Sequence, residues 1–408
     1  MSARGAPGEA ARKERWSRDL SEHANAFRAR FGPGADARLY FSPGRVNLMG
    51  AHLDYNGGPV MPAAIDRGTF IAVRPRSGRR VRMASTLGGP MLDTDLSALP
   101  RQRGGGWADY PLGVLLRLLS TGLDPGRSAE VCGVDILFGG NLAVGAGLSS
   151  SASICVGTAI ALDDVWGLGL DRMDLVHAAL HAEREFVGVQ CGIMDPYAVG
   201  LAREGHLLWL DCKDATSAYI PLDSTRLSIA VADTGVRREL AQIAFNERVR
   251  QCKAAFEGLR PHQAGATCLR DITLETFLEH GEVLDPAVSR RAEHVIREVA
   301  RTFAARNALS RGDPTGLGTE MFRAHESLRD LFEVSVPELD QLVESAAECP
   351  GVVGARLTGA GFGGCVVILL RSGARAEVEE RLSHDFLRRF SVRPTIEVYE
   401  TDPGPRAI

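Results

Sequence analysis

One run in this 408-residue chain joins chemistry-bearing residue types at a spacing suited to anion binding: Gly145-Ala146-Gly147-Leu148-Ser149-Ser150-Ser151-Ala152. It follows the strand-like Val134–Phe138 and opens an apolar segment, Ile154–Trp166, long enough for a buried helix. A glycine turn leading into a helix presents free backbone N–H groups where an anion is favoured. Glycines allow close approach of a phosphate, and serine hydroxyls cap the helix or ligate a metal. The run is either a phosphate cradle or a buried helix with an ordinary serine cap; alone it does not choose.

Other chemistry-bearing residues sit at element ends. Arg45-Val46-Asn47-Leu48-Met49-Gly50-Ala51-His52-Leu53-Asp54-Tyr55-Asn56-Gly57-Gly58 places an arginine, a histidine, an aspartate and two asparagines among glycines, directly after a strand. Turns need Asn, Asp and Gly, but seldom Arg and His as well. Trp107 follows Gly104-Gly105-Gly106 and either stacks on a planar ring or fills the core at a helix start. Glu183 falls among apolar positions of a helix over Met173–Val187, where a carboxylate is costly unless paired or metal-bound. Asp195, in Cys191–Tyr197, is either a satisfied structural acceptor or a tuned catalytic group. A second glycine loop, Thr358–Gly364, has four glycines in seven residues, more than a hairpin needs.

The elements that must position these residues are mostly readable. Leu20–Phe31 predicts an amphipathic helix stopped by Gly32-Pro33-Gly34, and Arg38–Phe41 a short strand broken at Ser42-Pro43-Gly44. Pro59–Ile65 and Thr69–Val73 predict two further strands, and Leu112–Leu119 a helix. Asp171 is the expected cap of the Met173–Val187 helix. Beyond a boundary near Ala202–His206 come strands Leu207–Leu210 and Leu227–Ala232, a charged helix from Arg238 to Phe256, and a helical middle. The end reads strand Val352–Thr358, strand Cys365–Leu370, helix Ala376–Phe390, strand Thr395–Tyr399, half of a ferredoxin-like layer. The domains expected are a leader over 1–20, a first domain over 21–205 and a second over 206–408.

Composition narrows the class. Hydrophobic content of 45% with 24% charged residues is that of a soluble globular protein, and the length allows two domains. A net charge of −4 gives no reason to expect nucleic acid or an anionic membrane. Eight scattered cysteines without a Cys-x-x-Cys pair read as free thiols of a reducing cytosol, and no apolar run reaches spanning length. Cytoplasmic residence is the default expectation.

Taken in order, the Arg45–Gly58 loop, GAGLSSSA and TGAGFGG resemble the three signature motifs of the GHMP small-molecule kinases. PGRVNLMGAHLDYNGG, running on into PVMPAAIDRG, is similar to the galactokinase signature, and WADY (107–110), CGIMD (191–195) and Arg238–Cys252 extend the resemblance over nearly the whole chain. It implies an α+β two-domain GHMP kinase fold: an N-terminal ribosomal-protein-like domain, a C-terminal ferredoxin-like domain, and the active site in the cleft between them. It implies ATP and Mg²⁺ and a small-molecule sugar; the chain is expected to be a monomer or a weak homodimer, with no nucleic acid or membrane as partner.

The resemblance also implies roles. The backbone of Gly145, Ala146, Gly147, Leu148, Ser149 and Ser150 would wrap the ATP phosphates, and Ser151 with Glu183 would hold Mg²⁺. Asp195 would accept the proton of the attacking hydroxyl, with Arg45 beside it; Trp107 would lie near adenine. His52, Asp54 and Gly192 would hold the sugar, and Gly359–Gly364, Gly361 included, would form the other wall. Two positions depart: galactokinases carry Glu where this chain has Ala51, and Tyr where it has Phe245. Each loss removes a polar contact worth roughly 1–3 kcal/mol. The expectation that follows is a sugar 1-kinase for an aldose modified or extended at its far end, of heptose or octose type. D-galactose is the alternative, and a non-catalytic sugar and ATP sensor the alternative of another class.

Overall fold

A computed structural model describes residues 7–121, 131–142, 147–237 and 241–408. Helix α1 (Pro7–Phe31) ends at Gly32, whose φ of 77° stops it. The segment read as a leader is therefore helical from Pro7, and its Trp16 meets Phe41 and Phe70 at ring distances of 4.6 and 5.9 Å.

Strand β1 (Arg38–Asn47) does not break at Ser42-Pro43-Gly44; it runs on to Asn47 and carries Arg45 on its last turn of ladder. The short β2 (Pro59–Val60) precedes β3 (Pro62–Pro75), one strand where two were expected. Pro43, which has no N–H to give, sits where the pairing of β1 with β3 slips: Pro43 faces Gly68 and Gly44 faces Ile65. The slip accommodates the break that local sequence signals, without ending either strand. β4 (Arg80–Ser85), β5 (Leu92–Asp95), α2 (Asp109–Thr121) and β6 (Val134–Gly140) follow.

Helix α3 (Ser150–Trp166) leaves the serine run and lies on this sheet, burying Ala152, Cys155, Val156, Ala159 and Leu162. In α4 (Arg172–His181) the Asp171 carboxylate accepts from the Asp174 amide at 2.8 Å, the expected cap. The helix then widens into a π turn over Ala182–Val187, which turns Glu183 inward, 3% exposed. Helix α5 (Met194–Gly200) brings Asp195 in its first turn.

The second half starts with β7 (His206–Asp211), β8 (Thr216–Pro221), β9 (Leu227–Asp233) and α6 (Ala241–Leu259). Helices α7 (Leu274–His280), α8 (Pro286–Ser310), α9 (Pro314–Asp330) and α10 (Pro337–Ala347) form the helical middle. β10 (Val352–Thr358), β11 (Cys365–Arg371), α11 (Arg375–Phe390), β12 (Thr395–Tyr399) and β13 (Arg406–Ala407) complete the chain.

Within the described residues the strands make three sheets: β13-β1-β3-β6-β4-β5, β10-β11-β9-β12 and β2-β7-β8. The second is wholly antiparallel, with helices over it, as the ferredoxin-like pattern requires. The tail, past the expected second domain's layer, returns to pair with β1 at Tyr40 and Phe41. One apolar cluster joins the halves: Val46, Leu48, Met61 and Leu148 pack with Ile229, Val231, Cys365 and Val367. Among the described residues no helix is long and apolar enough to cross a membrane.

Candidate active site

The cleft lies where the three loops meet. Gly147 of the serine loop and Gly359 of the third loop touch backbone to backbone: a Cβ on Gly359 would lie 3.0 Å from the Gly147 Cα. Any larger residue at either position would push the loops apart. The Arg45 amide donates to Leu148 O at 3.1 Å, and Arg45 Nη1 donates to Gly147 O at 2.6 Å, so β1 grips the same loop.

Arg45 is 5% exposed and meets Asp195 side by side, Nε to Oδ1 and Nη2 to Oδ2, both at 2.8 Å. The Ser149 hydroxyl also donates to Asp195 Oδ2. Ser149 stands at the N-cap of α3, yet its side chain caps nothing; its φ is 59° and the hydroxyl is turned to Asp195 instead. A non-glycine residue in that left-handed region costs about 1–3 kcal/mol, offset here by a charge-assisted hydrogen bond. Serine capping, expected of this run, is thus replaced by orientation of a carboxylate.

Asp54 stands next to this pair and next to Gly192, where a Cβ would fall 2.0 Å from the Asp54 carboxylate. Burial, and then the Asp195 charge, push the Asp54 carboxyl up to about 6. His52, also at φ 59°, is hydrogen-bonded to the Tyr55 hydroxyl at 2.9 Å and packs on Phe245 and Phe332. Burial, followed by His294 and Arg356, holds its imidazole well below the ordinary value, hence neutral. Phe245 lies edge-on to Tyr55 at 5.6 Å, so the nearest hydroxyl there is already engaged with His52.

These residues line one cavity of about 360 Å³, together with Ala51, Ser150, Ser151, Cys191, Ala360 and Arg356. A second, more apolar cavity of about 300 Å³ is lined by Trp107, Tyr110, Leu87, Phe138 and Ile154. The two meet at Ser150 and Ser151, the first residues of α3. Trp107 stands edge-on to Phe138 at 5.6 Å, and its indole N–H is buried without an acceptor.

Glu183 lies beneath that junction. Burial pushes its carboxyl up to about 7; the Ser151 hydroxyl is its hydrogen-bonding neighbour, and Oε2 has no partner. A buried, unsatisfied carboxylate oxygen beside a hydroxyl fits a hard dication that takes its remaining ligands from phosphate and water. Among the described residues there is no cluster of three or more His, Cys, Asp or Glu side chains able to hold a metal by themselves.

Gly145 and Ala146 lie outside the described residues. Gly361 does not line the cavity: it faces Val334, whose carbonyl would be 2.4 Å from a Cβ, and Gly359 and Ala360 supply that wall instead. Sequence reasoning gave no site role to Tyr55, Asn47 or Arg356, which also line the cavity. For Arg356 a signal existed, a lone guanidinium inside the apolar strand Val352–Thr358.

Known proteins give the same picture. The profile of the galactokinase galactose-binding signature matches residues 25–75, that of the GHMP kinase N-terminal domain residues 109–203, and that of the GHMP kinase C-terminal domain residues 305–387. The galactokinase of Halalkalibacterium halodurans is 36% identical over 90% of this chain and 92% of its own length. That of Fusobacterium nucleatum is 39% identical over 85% and 88%. The crystal structure of Lactococcus lactis galactokinase complexed with galactose superposes with a TM-score of 0.89 at 30% identity, covering 95% of this chain and 100% of that one. A cleft built from all three loops, in a chain related to these proteins over nearly its full length, leaves one assignment: the chain belongs to the galactokinase family of GHMP kinases, ATP-dependent enzymes that form sugar 1-phosphates.

Proposed function

We propose that this kinase transfers the γ-phosphoryl group of ATP to the anomeric hydroxyl of D-galactose. The observation that carries this reading is the meeting of two cavities at Ser150 and Ser151, one holding Trp107 and the other the Arg45–Asp195 pair. Adenine stacks by Trp107 and the phosphates cross the α3 N-terminus, where backbone N–H groups favour negative charge. The sugar sits against Asp54, His52 and Gly192 with its anomeric hydroxyl toward Asp195. Asp195 takes the proton of that hydroxyl as the oxygen attacks phosphorus. Arg45 keeps the carboxylate in line, and Ser149 fixes its rotamer. Ser151 and Glu183 hold Mg²⁺, which when bound neutralises charge on the phosphates. Positioning plus charge neutralisation is most of what phosphoryl transfer requires.

The expectation of a heptose or octose is not supported. The relatives are galactokinases, and the Ala51 backbone is held from α8 by the buried His294 and Glu298. His294 Nε2 lies 3.4 Å from Ala51 O, and the Ala51 amide donates to Glu298 at 3.4 Å. The test is ADP release coupled to a reporter, with D-galactose as acceptor and product identified by phosphorus NMR. Absence of galactose 1-phosphate, with ATP still bound, overturns the reading.

A further inference from the structure

Side chains alternate where β1 enters the cleft. Val46 and Leu48, both 0% exposed, belong to the apolar cluster that joins the halves, so Arg45 and Asn47 turn to the opposite face. Arg45 is the partner of Asp195. Asn47 borders the same cavity and is 2% exposed.

The Asn47 main chain is gripped from β10. Arg356 Nη2 donates to its carbonyl at 2.9 Å, and the Thr358 hydroxyl stands 3.4 Å from both its amide and its carbonyl. Arg356 is itself held beside Glu298, Nη1 to Oε1 at 3.8 Å. The Asn47 side chain has no such tie: Oδ1 is buried without a hydrogen-bond partner. Its polar neighbours along the cavity are engaged, Asp195 with Arg45 and Ser149, and His52 with Tyr55. A buried amide oxygen without a donor is unfavourable, and a group that brings it one O–H removes that penalty.

An acceptor in need of a donor selects among the ligands of the cleft. Ionised phosphate oxygens have no proton to give. The nucleoside goes, on the reading above, to the cavity of Trp107, which Asn47 does not border. The sugar brings several O–H donors into the cavity that Asn47 does border. We infer that Asn47 is a sugar-binding residue, whose side-chain oxygen accepts a hydrogen bond from one hydroxyl of the hexose other than the anomeric one that goes to Asp195. The inference rests on the galactose reading above and adds a recognition contact to that site. The grip of β10 on the Asn47 backbone and the seat of Val46 in the core fix the amide beforehand, so the contact forms without ordering a side chain.

The experiment compares wild type with Asn47→Ala in the full-length enzyme, using D-galactose and its 2-, 3-, 4- and 6-deoxy forms, with calorimetric Kd values where turnover is too slow to read. The expected result is a kcat/KM for galactose lowered on the order of tenfold to a hundredfold, carried by KM, with the KM for ATP unchanged. One deoxy sugar, the one lacking the hydroxyl that Asn47 holds, should show no further loss in the variant, while the others lose the same factor as galactose. Asn47→Leu, which keeps the shape and removes the acceptor, takes the place of Asn47→Ala if the melting curve of the latter shows it unfolded. An equal loss across all the sugars marks a structural role and overturns the inference, as does no loss with any of them, or a rise in the KM for ATP instead. Each of those outcomes leaves the proposed function standing. A wild type that does not phosphorylate galactose overturns both.

Discussion

Replacing Asp195 by Asn tests the centre of the site most directly, because the substitution keeps shape and removes only charge and basicity. In the wild type, Asp195 takes two hydrogen bonds from Arg45 at 2.8 Å each and a third from Ser149. An Asn keeps one acceptor oxygen for Arg45 Nε and turns an NH₂ toward Arg45 Nη2 and Ser149 Oγ, where the serine can accept. The lost charge-assisted bond costs about 1.5–3 kcal/mol. Acting the other way, the Asp195 charge is the second cause, after burial, of the raised Asp54 carboxyl, and removing it relieves Asp54. The two effects largely cancel, so the variant stays folded within about 1–2 kcal/mol of wild type, which a melting scan checks. Activity does not cancel: without a proton acceptor kcat should fall on the order of 10²–10⁴-fold. Titration calorimetry should meanwhile show sugar and nucleotide binding largely kept, and the pH midpoint of sugar binding moved below about 6. A kcat within tenfold of wild type refutes Asp195 as the acceptor, and an unmoved midpoint refutes the coupling to Asp54.

Three further outcomes follow from the same geometry. Since the Asp54 carboxyl is pushed up to about 6, it is ionised above that pH and protonated below, so the sugar KM of the wild type should rise as pH falls through 6, with little change in Asp54→Asn. The same raised value means that the stability contributed by Asp54 is lost as pH climbs from 3.8 to about 6, measurable as a denaturation midpoint that falls relative to that of Asp54→Asn over that window. Trp107→Ala removes the ring and the unpartnered N–H of the apolar cavity; the KM for ATP should rise roughly tenfold or more while the sugar KM stays put, and equal rises in both would remove Trp107 from the nucleotide site. Phe332, 0% exposed, lies 4.6 Å from the rings of both His52 and His294; Phe332→Ala should cost about 3–5 kcal/mol by denaturation and raise the sugar KM by loosening His52.

The sequence by itself determined the local parts. Glycine turns, a helix opening on serines, the Asp171 cap and the strand pair around the third loop were all legible, because each depends on neighbours a few residues away. Where local reading failed, a long-range contact had overruled it. β1 continues through Pro43 because β3 pairs with it on both sides of the slip. Ser149 leaves its capping role because Asp195, 46 residues on, competes for the hydroxyl. Gly361 turns away because Val334 occupies its open side. The substrate end was the least legible. Ala51 reads as a lost contact, and only the fold shows α8 bringing His294 and Glu298 to its backbone. Whether a buried charge is balanced depends on side chains from four distant segments meeting at one point, and sequence order does not encode that sum. Tertiary structure set the buried Arg356 of β10 against Glu298 of α8, a meeting that neither local sequence signals.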